Sequence, residues 1–149
     1  MALVQTAIAF IVGVVVTVLA SAGFYTQQIV AAQQALGVSY PSEIVFQLFQ
    51  NNLVGLAANG LGAVFAIALL IGFVVAFGLK RVLRPLAPIA YPVAGAAAVI
   101  GAILLIEYWW AGGGAGVFGG ARTPVGLALQ GVAGGVGGAL FAFLRPKRG

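Results

Sequence analysis

Four long apolar runs, separated by short polar segments, dominate the hydrophobic pattern of the chain. They cover about residues 2–24, 53–79, 86–110 and 124–144. A helix needs roughly 20 apolar residues to cross the hydrocarbon core of a bilayer, and each run is long enough to do so. Helices also let such runs satisfy their own backbone hydrogen bonds inside lipid. The pattern therefore predicts an all-α, polytopic integral membrane protein with four transmembrane helices.

The composition agrees with this prediction. The 149 residues are 62% hydrophobic and 6% charged, whereas a soluble domain carries roughly 25% charged residues. A chain of this length has room for one helical bundle and for no soluble domain beside it. We therefore expect a single four-helix transmembrane domain, 1–149, surrounded by the lipid bilayer of a cell membrane. The high content of glycine and alanine favours a bacterial inner membrane.

The basic residues form two clusters that predict the orientation of the helices. One cluster, Lys80, Arg81 and Arg84, links the second run to the third, and the other, Arg145, Lys147 and Arg148, forms the C-terminal tail. Two crossings separate the clusters, so both lie on one side of the membrane, and short basic segments stay in the cytoplasm. Both termini are therefore expected inside. Because the basic residues serve orientation, the net charge of +5 does not indicate a nucleic-acid partner.

The first outer segment, 25–52, is expected to contain further helical structure. Its glutamines at positions 27, 28, 33 and 34 predict that the first helix projects beyond the bilayer. Between residues 43 and 51, apolar Ile44, Val45, Leu48 and Phe49 share one helical face. This is the pattern of a short amphipathic helix lying at the membrane surface. An extended start to the second transmembrane helix explains the same residues equally well.

Three of the predicted helices carry stripes of small or amide side chains. The stripes are Asn52, Gly55, Asn59, Gly62 and Ala66; Ala87, Ala90, Ala94, Ala97 and Gly101; and Gly131, Gly134, Gly135, Gly138 and Ala142. Small residues let helices approach closely, which is a main source of helix association in lipid. The glycines of the three stripes are therefore predicted to be helix-packing residues. The stripes can pack the bundle of one chain, or they can pack it against another copy or another membrane protein.

Four polar residues are predicted to face the interior of the bundle. These are Thr17, Asn52, Asn59 and Gln130. An unsatisfied amide in hydrocarbon costs several kcal/mol, so each side chain needs a partner. Two interpretations remain open at this stage: the residues join helices by hydrogen bonds, or they line a hydrated path.

Glu107 and Arg122 flank the glycine-rich outer segment 111–121. Pairing them would lower the cost of placing charge near the outer interface. We therefore predict an ion pair, which would act either as a structural clamp on the segment or as a gate.

The residue inventory excludes most catalytic chemistry. The chain has no cysteine and no histidine, and its only carboxylate side chains are Glu43 and Glu107. Thiolate and imidazole metal sites, a serine–histidine pair and a paired-carboxylate site are therefore not available. No catalytic, cofactor-binding or metal-binding residue is predicted, and we do not expect an enzyme.

The pattern favours a non-catalytic integral membrane subunit. Such a subunit would be an accessory, assembly or scaffold component of a membrane complex, or a homo-oligomer, and would pack through glycine and alanine faces. Coupled transport usually needs a charged group at mid-membrane depth, which the four runs lack. The alternative is a small passive channel or transporter for a small solute, formed by an oligomer and lined by Asn59, Thr17 and Gln130.

Overall fold

Five α-helices are present in the computed structural model, which describes residues 1–111 and 118–146. They are α1 (Ala2–Ala35), α2 (Ser42–Ala58), α3 (Leu61–Val82), α4 (Ala90–Ala111) and α5 (Pro124–Leu144). The described residues contain no β-strand. Four of the helices, α1, α3, α4 and α5, are long and apolar enough to cross a membrane, which confirms the all-α architecture with four spans. The glycine-rich residues 112–117 and the basic residues Lys147 and Arg148 lie outside the described residues.

The bounds predicted for the second helix, 53–79, are wrong, because two helices occupy this part of the chain. α2 ends at Ala58 and α3 begins at Leu61, with Asn59 as the C-terminal cap of α2. Gly60 lies in the left-handed region at φ 76°, where glycine commonly ends a helix. α3 has 22 residues. Its length of about 33 Å therefore matches the hydrocarbon core of about 30 Å.

α1 is longer than the predicted first span and extends to Ala35. Its 34 residues measure about 51 Å, against a hydrocarbon core of about 30 Å. The additional length is paired with α2, because the amide of Asn52 donates a hydrogen bond of 2.9 Å to Oγ1 of Thr26. The predicted amphipathic segment, 43–51, forms the first half of α2.

The proline-rich link changes the predicted start of the third span. α4 begins at Ala90 rather than at residue 86, and a short 3₁₀ turn, Arg84–Leu86, precedes it. Pro92 therefore lies in the first turn of α4. The N–H that proline lacks has no intrahelical partner at this position, so the helix loses no hydrogen bond there.

α5 has the bounds that the sequence predicts. Oγ1 of Thr123 accepts a hydrogen bond of 3.0 Å from the backbone N–H of Gly126. Pro124 follows at the first helical position. This combination of a threonine cap and a first-turn proline is typical of a helix N-terminus.

An aromatic cluster joins all four spans near one end of the bundle. α5 lies between α1 and α4, and α3 packs along α4. Phe73 of α3 stacks on Phe141 of α5 with ring centroids 4.5 Å apart. Phe10 of α1 meets Phe73 edge to face at 6.2 Å, and Tyr91 of α4 meets both Phe73 and Phe141. Because each span contributes one ring, the cluster fixes the relative positions of the helices.

Candidate functional site

A buried polar pair joins α1 to α5. The side chains of Ser21 and Gln130 are fully buried. Oγ of Ser21 donates a hydrogen bond to Oε1 of Gln130, and Nε2 of Gln130 donates to the carbonyl oxygen of Ser21 at 3.4 Å. The amide thus uses its oxygen as an acceptor and one of its N–H groups as a donor inside the chain. Since an unpaired amide in hydrocarbon is costly, this pairing holds the two helices in one register.

The segment that precedes α5 closes the bundle over this pair. Phe118 and Gly120 are buried, and the ring of Phe118 lies 6.1 Å from that of Tyr25. The amide of Gln28 donates a hydrogen bond of 3.3 Å to the carbonyl oxygen of Gly120. A Cβ at Gly120 would lie 2.9 Å from Nε2 of Gln130. Glycine therefore allows this segment to rest directly on the buried amide.

Thr17 fills the contact between α1 and α5. It is fully buried, and its Oγ1 donates a hydrogen bond of 2.8 Å to the carbonyl oxygen of Gly13 in its own helix. A Cβ on Gly137 of α5 would overlap Oγ1 of Thr17. Like Gln130, the threonine is satisfied inside the chain and faces packed atoms.

The two predicted asparagines have different surroundings. Asn52 is half-buried and donates to Thr26 of α1. Asn59 is exposed at the end of α2. The break after Asn59 means that the predicted stripe from Asn52 to Ala66 does not form one continuous helix face.

Glu107 and Arg122 remain a predicted ion pair. Glu107 lies near the end of α4, where it is half-buried, and its Oε1 has no hydrogen-bond partner among the described residues. Arg122 is exposed just before α5.

α4 and α5 approach each other through their glycines. A Cβ built on Gly134 would overlap the carbonyl oxygen of Gly95, and one built on Gly95 would overlap that of Gly134. A Cβ on Gly138 would overlap the carbonyl oxygen of Tyr91. Backbone contact of this kind is typical of small-residue helix pairs in membranes. Gly134 and Gly138 therefore pack inside the chain.

The other predicted packing glycines have more space around them. A Cβ on Gly131 would lie 2.6 Å from Cδ1 of Ile100, the flexible end of a side chain. At Gly62 the nearest atom would be 3.9 Å away. Gly55 and Gly101 have no atom within 4 Å of the Cβ position. A side chain at either of these two positions would therefore enter open space.

A surface rich in small residues is open on the outside of the bundle, between α4 and α5. A shallow depression of about 510 Å³ between α4 and α5 is lined by Ala96, Ile100, Ala128, Gly131, Val132, Gly135, Val136 and Ala139. We call this surface the α4–α5 face. A Cβ on Gly135 would make only an ordinary contact, 3.5 Å from the carbonyl oxygen of Pro92. Gly131, Gly135 and Ala139 follow at steps of four, which is the small-residue spacing of helix association in membranes.

Two cations meet on one ring at the end of the bundle where α3 and α5 finish. The guanidinium of Arg145 donates a hydrogen bond to the hydroxyl of Tyr91 and lies 4.8 Å from the centroid of that ring. Nζ of Lys80 lies 5.5 Å from the same centroid. Attraction between a cation and an aromatic face holds both side chains there. We call this region, with Arg81 and Arg84, the basic end.

Neither the Ser21 contact nor the meeting of charges on Tyr91 follows from sequence reasoning. Ser21 lies at a helical step of four from Thr17, which was the available signal for a polar partner of Gln130. Lys80 belongs to α3, Tyr91 to α4 and Arg145 follows α5, so no spacing along the chain brings the three side chains together.

Comparison with protein-family models, with curated proteins and with solved structures finds no match to this chain. Residues 1–111 and 118–146 contain no group of three or more His, Cys, Asp or Glu that could hold a metal ion. These residues provide close helix packing, the open α4–α5 face and the basic end.

Proposed function

We propose that the chain is a non-catalytic subunit of a bacterial inner membrane that assembles with other membrane-spanning helices through the α4–α5 face. The observation that carries this proposal is the division of glycines on α5. Gly134, Gly137 and Gly138 are buried against α4 or α1, whereas Gly135 and Ala139 line a depression on the outside of the bundle.

The physical argument rests on the shape of that surface. Lipid tails are as apolar as leucine, so helices gain little from hiding apolar side chains from lipid and instead associate by close van der Waals contact. Glycine and alanine permit such contact because they place little between the two backbones. An open surface of small side chains can therefore accept the ridge of a second helix.

A second copy of this chain is the occupant that fits best. A two-fold axis would place the α4–α5 face of one copy against the same face of the other, so that the small side chains of both allow close approach. The depression has no charged lining residue. The pairing therefore needs no charge complement from a different protein.

The alternative, an oligomeric channel lined by amides, has less support. Thr17 and Gln130 are both fully buried, and their hydrogen bonds lie within the chain. Asn59 is exposed at a helix end, apart from these two residues. A second copy on the α4–α5 face would not bring the three residues to one surface.

The test compares the wild-type chain with Gly135→Leu. A leucine at this position has room to extend into the depression, so it should block docking while the fold is kept. We expect the wild-type protein in mild detergent to have a mass of at least two copies of the 15.0 kDa chain by light scattering. Gly135→Leu should have the mass of one copy at unchanged thermal stability.

Gly78→Leu is the matched control. Gly78 is exposed on α3 and has no atom within 4 Å of its Cβ position, so this variant should assemble as the wild type does. A wild-type protein that is a single chain with nothing bound, or a Gly135→Leu variant that still assembles, would contradict the proposal. The chain could instead copurify with a different membrane protein. If Gly135→Leu disrupts that complex, the chain is still a subunit, but its partner on the α4–α5 face is not a second copy.

A further inference from the structure

Three aromatic side chains occupy consecutive positions at the end of α4. Tyr108, Trp109 and Trp110 are 72%, 81% and 87% exposed, and the helix ends one residue later at Ala111. The two tryptophans are the only ones in the chain. Large exposed apolar surfaces mark sites of interaction with protein or with the membrane. We call this region, residues 108–110, the tryptophan end.

The directions of the three rings indicate which interaction they make. Successive residues of an α-helix are rotated by about 100°, so the three side chains leave α4 on three different sides. A docking face for a second helix uses residues at steps of three or four, because these share one side. Rings that point to several sides of a helix end suit a medium that surrounds that end. The boundary between lipid and water is such a medium.

The tryptophan end also lies at the expected distance from the basic end. Along α4, Trp109 is about 27 Å from Tyr91, on whose ring Arg145 lies. Along α3, exposed Arg81 is about 30 Å from Leu61, where the helix begins. Charged side chains avoid the hydrocarbon core, which is about 30 Å thick. With the basic end at one surface of the hydrocarbon, Trp109 therefore reaches the other surface.

The chemistry of the rings fits that surface. Indole combines a broad apolar ring with one N–H donor, so the ring can lie beside acyl chains while the N–H reaches headgroup oxygens. Tryptophan and tyrosine are accordingly enriched where lipid meets water. Half-buried Glu107 directly precedes the rings, and a carboxylate is less costly at this level than inside hydrocarbon.

We propose that the tryptophan end lies in the headgroup layer of the leaflet opposite the basic end, where its rings bind phospholipid. The two ends then hold α4 in the bilayer from both sides. The α4–α5 face lies between them, at the depth of the acyl chains. This inference does not depend on the proposed assembly, because none of the three aromatic residues lines that face.

Fluorescence quenching measures the depth of the rings, because the two tryptophans are adjacent and report one level. The full chain is reconstituted in phosphatidylcholine liposomes in which part of the lipid carries a nitroxide, either on the headgroup or near the methyl end of an acyl chain. We expect the headgroup nitroxide to cause the larger fractional loss of tryptophan emission. Iodide present on both sides of the membrane should quench the rings much less than it quenches free N-acetyltryptophanamide.

A single tryptophan at mid-membrane depth is the matched control. Leu70 lies near the middle of α3, and its side chain is 52% exposed. In a variant that combines Trp109→Phe, Trp110→Phe and Leu70→Trp, the chain-end nitroxide should quench more strongly than the headgroup nitroxide. Trp109→Phe alone and Trp110→Phe alone should each keep the wild-type order, because the remaining ring lies at the same level. Thermal unfolding of each variant verifies that it is folded.

Three results would overturn the proposal. Equal or stronger quenching of the wild type by the chain-end nitroxide would place the rings inside the hydrocarbon. Iodide quenching as strong as that of free N-acetyltryptophanamide would place them in water. Rings protected from both nitroxides and from iodide would be covered by protein, either a second copy or a different partner. Gly135→Leu should leave the order of quenching unchanged, so this inference and the proposed assembly can fail separately.

Discussion

Two adjacent glycines of α5 have opposite surroundings. The Cβ position of Gly134 overlaps a carbonyl oxygen of α4, whereas that of Gly135 has only ordinary contacts and opens onto the α4–α5 face. The sequence predicts both as packing residues, because each belongs to a small-residue pair at a step of four. Spacing shows which residues share a helix face, but it does not show which face meets a neighbour in the same chain. Residue roles therefore depend on the assembled bundle.

Substituting alanine at each of these two positions tests that difference. Gly134→Ala forces α4 and α5 apart at a backbone contact, so we expect it to destabilise the fold by about 1–3 kcal/mol, as overpacking does. Gly135→Ala adds a methyl group that has space, so it should be neutral or stabilising by up to about 1 kcal/mol through helix propensity. Unfolding in mixed detergent and SDS micelles, followed by circular dichroism, measures both. Equal losses at the two positions would show that the α4–α5 face is not open.

At the scale of whole helices, hydropathy predicts the number of spans and the bounds of α5, but not the break between α2 and α3. The run from 53 to 79 is continuously apolar, and Asn59 fits the spacing of a helix stripe, so the periodicity favours one helix. The contrary signal is the Asn-Gly pair at 59 and 60, which commonly ends a helix. Local turn chemistry decides here, because Gly60 takes the left-handed conformation that ends α2.

Gly60→Ala tests whether this conformation is required. An L-residue in the left-handed region costs roughly 1–2 kcal/mol, so the variant should be less stable than the wild type by about that amount. Gly55→Ala is the control, because Gly55 is inside α2 with no atom within 4 Å of its Cβ position. It should be neutral or stabilising by up to about 1 kcal/mol through helix propensity. Thermal unfolding should give shifts of opposite sign, and a stabilising Gly60→Ala would mean that the helix is continuous there.

At the scale of the whole molecule, open surfaces lie on both sides of α4. The α4–α5 face is uncharged, and a groove between α3 and α4 is lined by apolar residues and by Lys80. The sequence predicts the two basic clusters from the positions of the basic residues, but it does not predict that Lys80 and Arg145 meet on Tyr91, since these residues lie in α3, after α5 and in α4. Contacts between distant residues arise from the packing of all spans together. The orientation of this arrangement in the membrane therefore determines which side of the bilayer the basic end faces.

Cysteine labelling tests that orientation directly. The chain has no cysteine, so a single introduced thiol reports one position. Leu36→Cys follows α1 and Val82→Cys ends α3, and the two native side chains are 78% and 80% exposed. Because basic short segments stay in the cytoplasm, a membrane-impermeant maleimide should label position 36 in intact cells and position 82 only after permeabilisation. The reverse pattern would place the basic end outside and would refute the predicted orientation.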